Sequence, residues 1–136
     1  QGIAITGAFN ASGELLPIGG INEKIEGFFR SCECVGLNGA QGVLMPTRNR
    51  RHLMLDDRVI EAVAQGRFHI HVADTVADAM TLMTGLPFGE MAPTAYPADS
   101  LLGRAQTQLR RQRQAMDATG THHDKPVHQR RTQHGA

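Results

Sequence analysis

The sequence predicts an α+β fold, a two-layer α/β sandwich, and three observations carry that expectation. Nearly all aliphatic runs and all five Phe fall within roughly the first 90 of 136 residues, so one compact core is expected there and not beyond. The chain opens with two short apolar alternations separated by a turn cluster. From Gly42 onward, strand-like and helix-like periods then follow one another, the pattern that layers helices on a sheet.

In order, Gly2 to Phe9 alternates small and β-branched residues, and Asn10-Ala11-Ser12-Gly13 turns the chain into Leu15-Leu16-Pro17-Ile18. A β-hairpin is expected. After Gly19-Gly20, the apolar residues Ile21, Ile25, Phe28, Phe29, Cys32 and Val35 lie on one face of a helix over about 21–35. Gly42 to Met45 reads as a buried strand stopped by Pro46, with Thr47-Arg48-Asn49 as a loop. Asp56-Asp57 supplies a cap and first-turn charge for a helix carrying Val59, Ile60 and Val63 and ending at Gly66. Phe68, Ile70 and Val72 alternate with His69 and His71 as a strand. Asp74 or Thr75 caps a last helix through Val76, Ala79, Met80 and Met83, closed by Gly85.

Composition divides the chain into a globular part, 1–90, and a basic tail, 91–136, expected to be disordered. The net charge is only +1, yet from Ser100 onward Arg104, Arg110, Arg111, Arg113, Lys125, Arg130 and Arg131 face only Asp117 and Asp124. Arg110, Arg111 and Arg113, with Leu101, Leu102, Ala105 and Leu109 along one side, suit a short basic helix that could touch nucleic acid or an acidic partner; a solvated tail is preferred. The two cysteines, Cys32 and Cys34, point apart on a helix, which argues against a disulfide framework or a zinc ribbon. No apolar run approaches the roughly 18 residues of a membrane span and no secretory pattern opens the chain, so a cytoplasmic location is expected. The start at Gln1, directly in an apolar alternation, reads as a chain cut from something longer.

The most informative stretch is Leu16-Pro17-Ile18-Gly19-Gly20-Ile21-Asn22-Glu23-Lys24, which delivers a lysine into the first turn of a helix. The partial positive charge of a helix N-terminus disfavours an ammonium there, and burial against the preceding strands would add to this. Both effects favour the neutral amine, which can act as a general base. Such a base can take the proton of a serine hydroxyl as the oxygen attacks a peptide carbonyl. The glycines permit φ > 0 and a close approach beside a substrate. The plainer reading makes Lys24 a solvated surface residue after a Gly-Gly strand end.

The blocks LPIGGINEK, IEGFFR and GVLMPTRNRRHL, in that order over about residues 1–90, resemble the second half of the proteolytic domain of Lon proteases, with the bacterial Lon-related ATP-dependent proteases most similar in spelling. The resemblance implies a sandwich of the Lon proteolytic domain type, shared with the second domain of ribosomal protein S5 and incomplete here at its N-terminus. It implies an ATP-dependent serine endopeptidase with a Ser-Lys dyad, in which Lys24 is the catalytic lysine and Thr6, of the Thr6-Gly7 pair, orients it. The family's nucleophile stands in an upstream Pro-Ser-Ala-Gly block, and none of Ser12, Ser31 or Ser100 has that context. The fragment alone is therefore expected to be inactive. No G-x-x-x-x-G-K-[ST] loop occurs, which puts ATP and Mg2+ in a preceding AAA+ region. Protein substrates and sister subunits of a homo-oligomeric ring, commonly six, are the implied partners. The alternatives are a non-proteolytic interaction module, whose members generally lack the lysine, and an inactive scaffold.

Of the remaining candidates, His69 and His71 share a strand face but lack a third metal ligand, and an outward face is preferred. His52 is a surface or backbone-bonding residue. His122, His123, Asp124, His128 and His134 are taken as a solvated tail, and no metal is assigned.

Overall fold

The structure, a computed structural model, describes residues 2–120. The histidines from His122 onward lie outside the described residues. The chain divides between Phe88 and Gly89 into two compact units.

The first unit mixes helices with a three-stranded parallel sheet of order β1-β4-β5, formed by β1 (Ile3–Ile5), β4 (Gly42–Pro46) and β5 (His69–Ala73). Ile3 pairs with Gly42, and Gly42 in turn with His69. A separate antiparallel pair joins β2 (Ala8–Phe9) to β3 (Leu15–Leu16). The expected hairpin is thus only half of what forms. Thr6 donates its N–H to Leu44 O at 2.9 Å, still within the parallel ladder, and the chain then swings away at Gly7. A Cβ at Gly7 would stand 3.0 Å from Leu15 Cδ2 and 3.2 Å from Pro46 Cγ, so a side chain at the bend would oblige these neighbours to shift by a few tenths of an ångström. The hairpin turn is tied by Asn10, whose Oδ1 accepts from Ser12 N, Ser12 Oγ and Glu14 N.

Helix α1 spans Ile21–Val35 and buries Ile21, Ile25, Phe29 and Cys32, the face its period predicts. Helix α2 (Asp57–Ala64) starts at Asp56, whose side chain accepts from Arg58 N, and α3 (Val76–Thr84) starts at Thr75 in a reciprocal capping box with Asp78. Thr47–His52, expected as loop, is a 3-10 helix.

β4 is buried on both sides. Val43 and Met45 pack with α1, α2 and Phe68, whereas Leu44 packs with Leu15, Ala73 and Ala79. The fold is mixed α and β as expected, but α3 and the hairpin cover the face that a two-layer sandwich leaves open. The unbroken run Val43-Leu44-Met45 is the reason, since a strand without polar alternation needs cover on both faces. Phe68 anchors the larger cluster, meeting the Phe29 ring edge-on at 5.2 Å between centroids and 83°.

In the second unit helix α4 spans Leu101–Gly120, inside the stretch 91–136 expected to be disordered, of which 121–136 lie outside the described residues. Ser100 accounts for its start: Oγ accepts from Gly103 N at 3.1 Å and donates to Pro97 O at 2.6 Å. Leu, Ala, Gln, Arg and Met, which lose little rotamer freedom in a helix, carry it onward. This local helical preference outweighs the shortage of core-forming residues on which the expectation of disorder rests.

Candidate active site

The approach to Lys24 is built by Gly20, which takes the left-handed conformation (φ 65°, ψ 31°) as the residue before α1. Gly19 does not use the positive φ that both glycines permit. No side chain caps this helix; Lys24 N–H bonds Gly20 O at 3.2 Å. The Lys24 amine donates to Gly19 O at 3.3 Å, folding the side chain back over the turn that precedes it.

Lys24 is exposed, so the burial anticipated against the preceding strands is not provided by this chain. The side chain leaves the α1 surface one position before the buried Ile25, about 100° around the helix from it. Thr6, half-buried at the end of β1, forms no hydrogen bond with Lys24 among the described residues.

Two asparagines that the sequence reading passes over hold this turn in place. Asn49, 1% exposed, accepts from Ile18 N at 3.1 Å through Oδ1 and donates to Ile18 O at 2.8 Å through Nδ2, a two-point clamp on the segment entering Gly19. Asn22, in the first turn of α1, donates to His52 O at 3.2 Å and accepts from Met54 N at 2.9 Å. The Gly19-Gly20-Lys24 turn is therefore stitched from both sides by four hydrogen bonds, three to the Thr47–His52 segment and one to Met54 just beyond it. No local signal marks Asn49, because its partner lies 31 positions away.

The three serines are committed elsewhere. Ser12 donates to Asn10, Ser31 to Gly27 O at 3.1 Å, and Ser100 to Pro97 O. Cys32 is buried, which pushes its thiol pKa up, and Cys34 is exposed; both are free. His69 and His71 stand 5.9 Å apart between ring centroids, and His69 Nε2 lies 2.8 Å from Gly39 O, an acceptor, so that nitrogen carries the proton. Burial, and secondarily His69, push the His71 imidazole below its ordinary value. Among the described residues no cluster of three or more His, Cys, Asp or Glu could hold a metal ion, and no helix is long and apolar enough to cross a membrane.

No family model matches the chain. It is 49% identical over 86 residues to a protein of Escherichia coli (strain K12) named "Putative Lon protease homolog", a match taking in 63% of this chain and 15% of that protein. A Haemophilus influenzae protein of the same name is 42% identical over 85 residues, covering 62% of this chain and 14% of the relative. An archaeal Lon protease of Archaeoglobus fulgidus is 30% identical over 70 residues, 52% of this chain and 9% of that protein. The chain spans about one seventh of the length of the two bacterial relatives. Over the residues so matched, the chain is related to these Lon protease homologues.

Proposed function

We propose that this chain is the lysine-bearing part of a cytoplasmic, ATP-dependent serine endopeptidase, with Lys24 as general base. The observation that carries the reading is the placement of Lys24 in a Lon-related chain: its amine lies over a glycine turn that two asparagines clamp to the Thr47–His52 segment. A base must be held within hydrogen-bond reach of the proton it abstracts, and a turn pinned at both ends provides that rigidity.

In this reading a serine on a preceding segment of the parent polypeptide packs over the turn and desolvates the amine. Its hydroxyl proton passes to neutral Lys24 Nζ while Oγ bonds to the substrate carbonyl carbon. Lys24 then returns that proton to the departing amine, leaving an acyl-enzyme. Water, deprotonated by the same nitrogen, releases the acid and restores the serine. The Thr6 hydroxyl orients the amine once Lys24 turns from Gly19 O toward the serine. ATP hydrolysis with Mg2+ belongs to another region of the parent protein, since this chain carries no phosphate-binding loop. Protein substrates and a ring of like subunits, taken as six, complete the proposal.

The exposure of Lys24 and its lack of a bond to Thr6 favour a second reading, an inactive scaffold. Substitution in the full-length protein separates the two. Lys24→Ala is expected to abolish casein cleavage while ATP hydrolysis persists, and Lys24→Arg to restore nothing, because a guanidinium keeps its proton at working pH. Thr6→Val costs less, since it leaves the base in place. Retention of half or more of the cleavage by Lys24→Arg overturns the dyad in favour of the scaffold.

A further inference from the structure

The lysine turn leaves one conspicuous group of charges without an assignment. Arg48, Arg50 and Arg51, all exposed, line an open groove of about 710 Å³ together with Thr47 and Pro17. No ion pair engages any of the three guanidiniums among the described residues; the ion pairs formed are Arg30–Glu26 and Arg58–Glu33. Glu14 and Asp74 come near Arg48 only across a separate, smaller cavity, and Glu14 is bonded to Asn10.

Both walls of the groove are anchored. Pro17 precedes Ile18, and Ile18 is gripped through N–H and C=O by Asn49, which sits between the arginines with its own side chain buried. The three cations therefore project from a pinned 3-10 turn. Their forks match carboxylates, and part of the ordering cost of binding is met in advance.

We propose that this groove is a binding subsite for acidic side chains of an extended polypeptide. A single-stranded nucleic acid is disfavoured because grooves that hold one pair their cations with aromatic faces on which bases stack, whereas no aromatic residue lines this groove. Pro17 lies two residues before Gly19, the residue on which the Lys24 amine rests, so a peptide held at the arginines runs beside the lysine turn. That the polypeptide is a substrate rests on the protease reading; the binding itself does not.

The test measures fluorescence anisotropy of a labelled peptide carrying three consecutive Glu, against its Gln counterpart, with the purified 136-residue chain. The Glu peptide is expected to bind about tenfold tighter, with affinity falling as salt rises. Arg48→Gln, Arg50→Gln and Arg51→Gln should each weaken it about threefold or more, and the Lys variants less, since charge survives while the fork is lost. The combined Arg110→Gln, Arg111→Gln, Arg113→Gln change in α4 should leave binding unaltered. Equal binding of the two peptides, or loss that follows the α4 arginines, overturns the proposal. A single-stranded oligonucleotide that binds tighter than the Glu peptide and responds to the same groove substitutions overturns it in favour of nucleic acid. In the full-length protein, the groove substitutions should raise KM for acidic reporters with kcat unchanged. Peptide binding by the full-length protein without any hydrolysis would remove the protease reading and leave the subsite standing.

Discussion

Replacing Asn49 with Ala examines the link between the lysine turn and the rest of the fold. The side chain is 1% exposed and makes hydrogen bonds of 3.1 and 2.8 Å to the Ile18 N–H and C=O. Alanine removes both and leaves the N–H and C=O of the partly buried Ile18 without these partners. Each such group costs about 1–3 kcal/mol when water cannot reach it fully, so a loss of about 2–4 kcal/mol is expected. For a unit the size of residues 1–88, that corresponds to a fall on the order of 10–20 °C in Tm. Calorimetry of the 136-residue chain, alongside circular dichroism, reads the change. Asn49→Asp sharpens the test. Near neutral pH the introduced carboxylate can accept from Ile18 N–H but sets a buried charge against Ile18 O, so it should destabilise at least as much as alanine. Burial and the facing carbonyl raise the introduced group's folded pKa above its unfolded value of about 3.9. The folded state then binds the proton more tightly, and the stability deficit should shrink as pH falls through that raised pKa, when the protonated oxygen can donate to Ile18 O. A loss below about 0.5 kcal/mol for Asn49→Ala, or an Asp variant whose deficit relative to the parent grows on acidification, would refute the clamp.

Three further outcomes follow from the same structure. Gly42→Ala places a methyl 2.5 Å from His69 O in the β4–β5 ladder, so it should cost about 1–3 kcal/mol or more, measured by urea unfolding, and a neutral result would contradict the register. The depressed His71 pKa means that the unfolded chain binds more protons just below the ordinary histidine value of about 6.5. The His71 contribution to stability is therefore present above that pH and lost as pH falls through the folded pKa; an NMR titration placing His71 at or above 6.5 would sink this. Thr75→Ala breaks the capping box with Asp78 and should lower stability by about 1 kcal/mol, with Thr75→Ser close to the parent in thermal unfolding.

The sequence by itself determined the elements whose causes are local. Apolar residues from Ile21 to Val35 at helical spacing specify α1, Asp56 and Thr75 announce the starts of α2 and α3, and Gly85 ends the last of these in the left-handed conformation. The place of Lys24 in the first turn of α1 was legible in the same way, whereas its catalytic role rests on the resemblance to the Lon block. Only the tertiary structure decided which strands pair. The run from Gly2 to Phe9 reads as one strand, yet Ile3–Ile5 joins Gly42–Pro46 in parallel while Ala8–Phe9 turns to Leu15–Leu16, with Gly7 packed closely against Leu15 and Pro46 at the bend. The same holds for the Asn49 clamp, the Asn22 bridge and the arginine groove. Each depends on residues about 30 positions apart arriving side by side, and a hydrogen bond across that separation leaves no periodicity, cap or turn signature in the chain. Lys24 is exposed for the same reason: burial depends on what the whole assembled fold sets over a helix face, and the helix pattern specifies only which face that is.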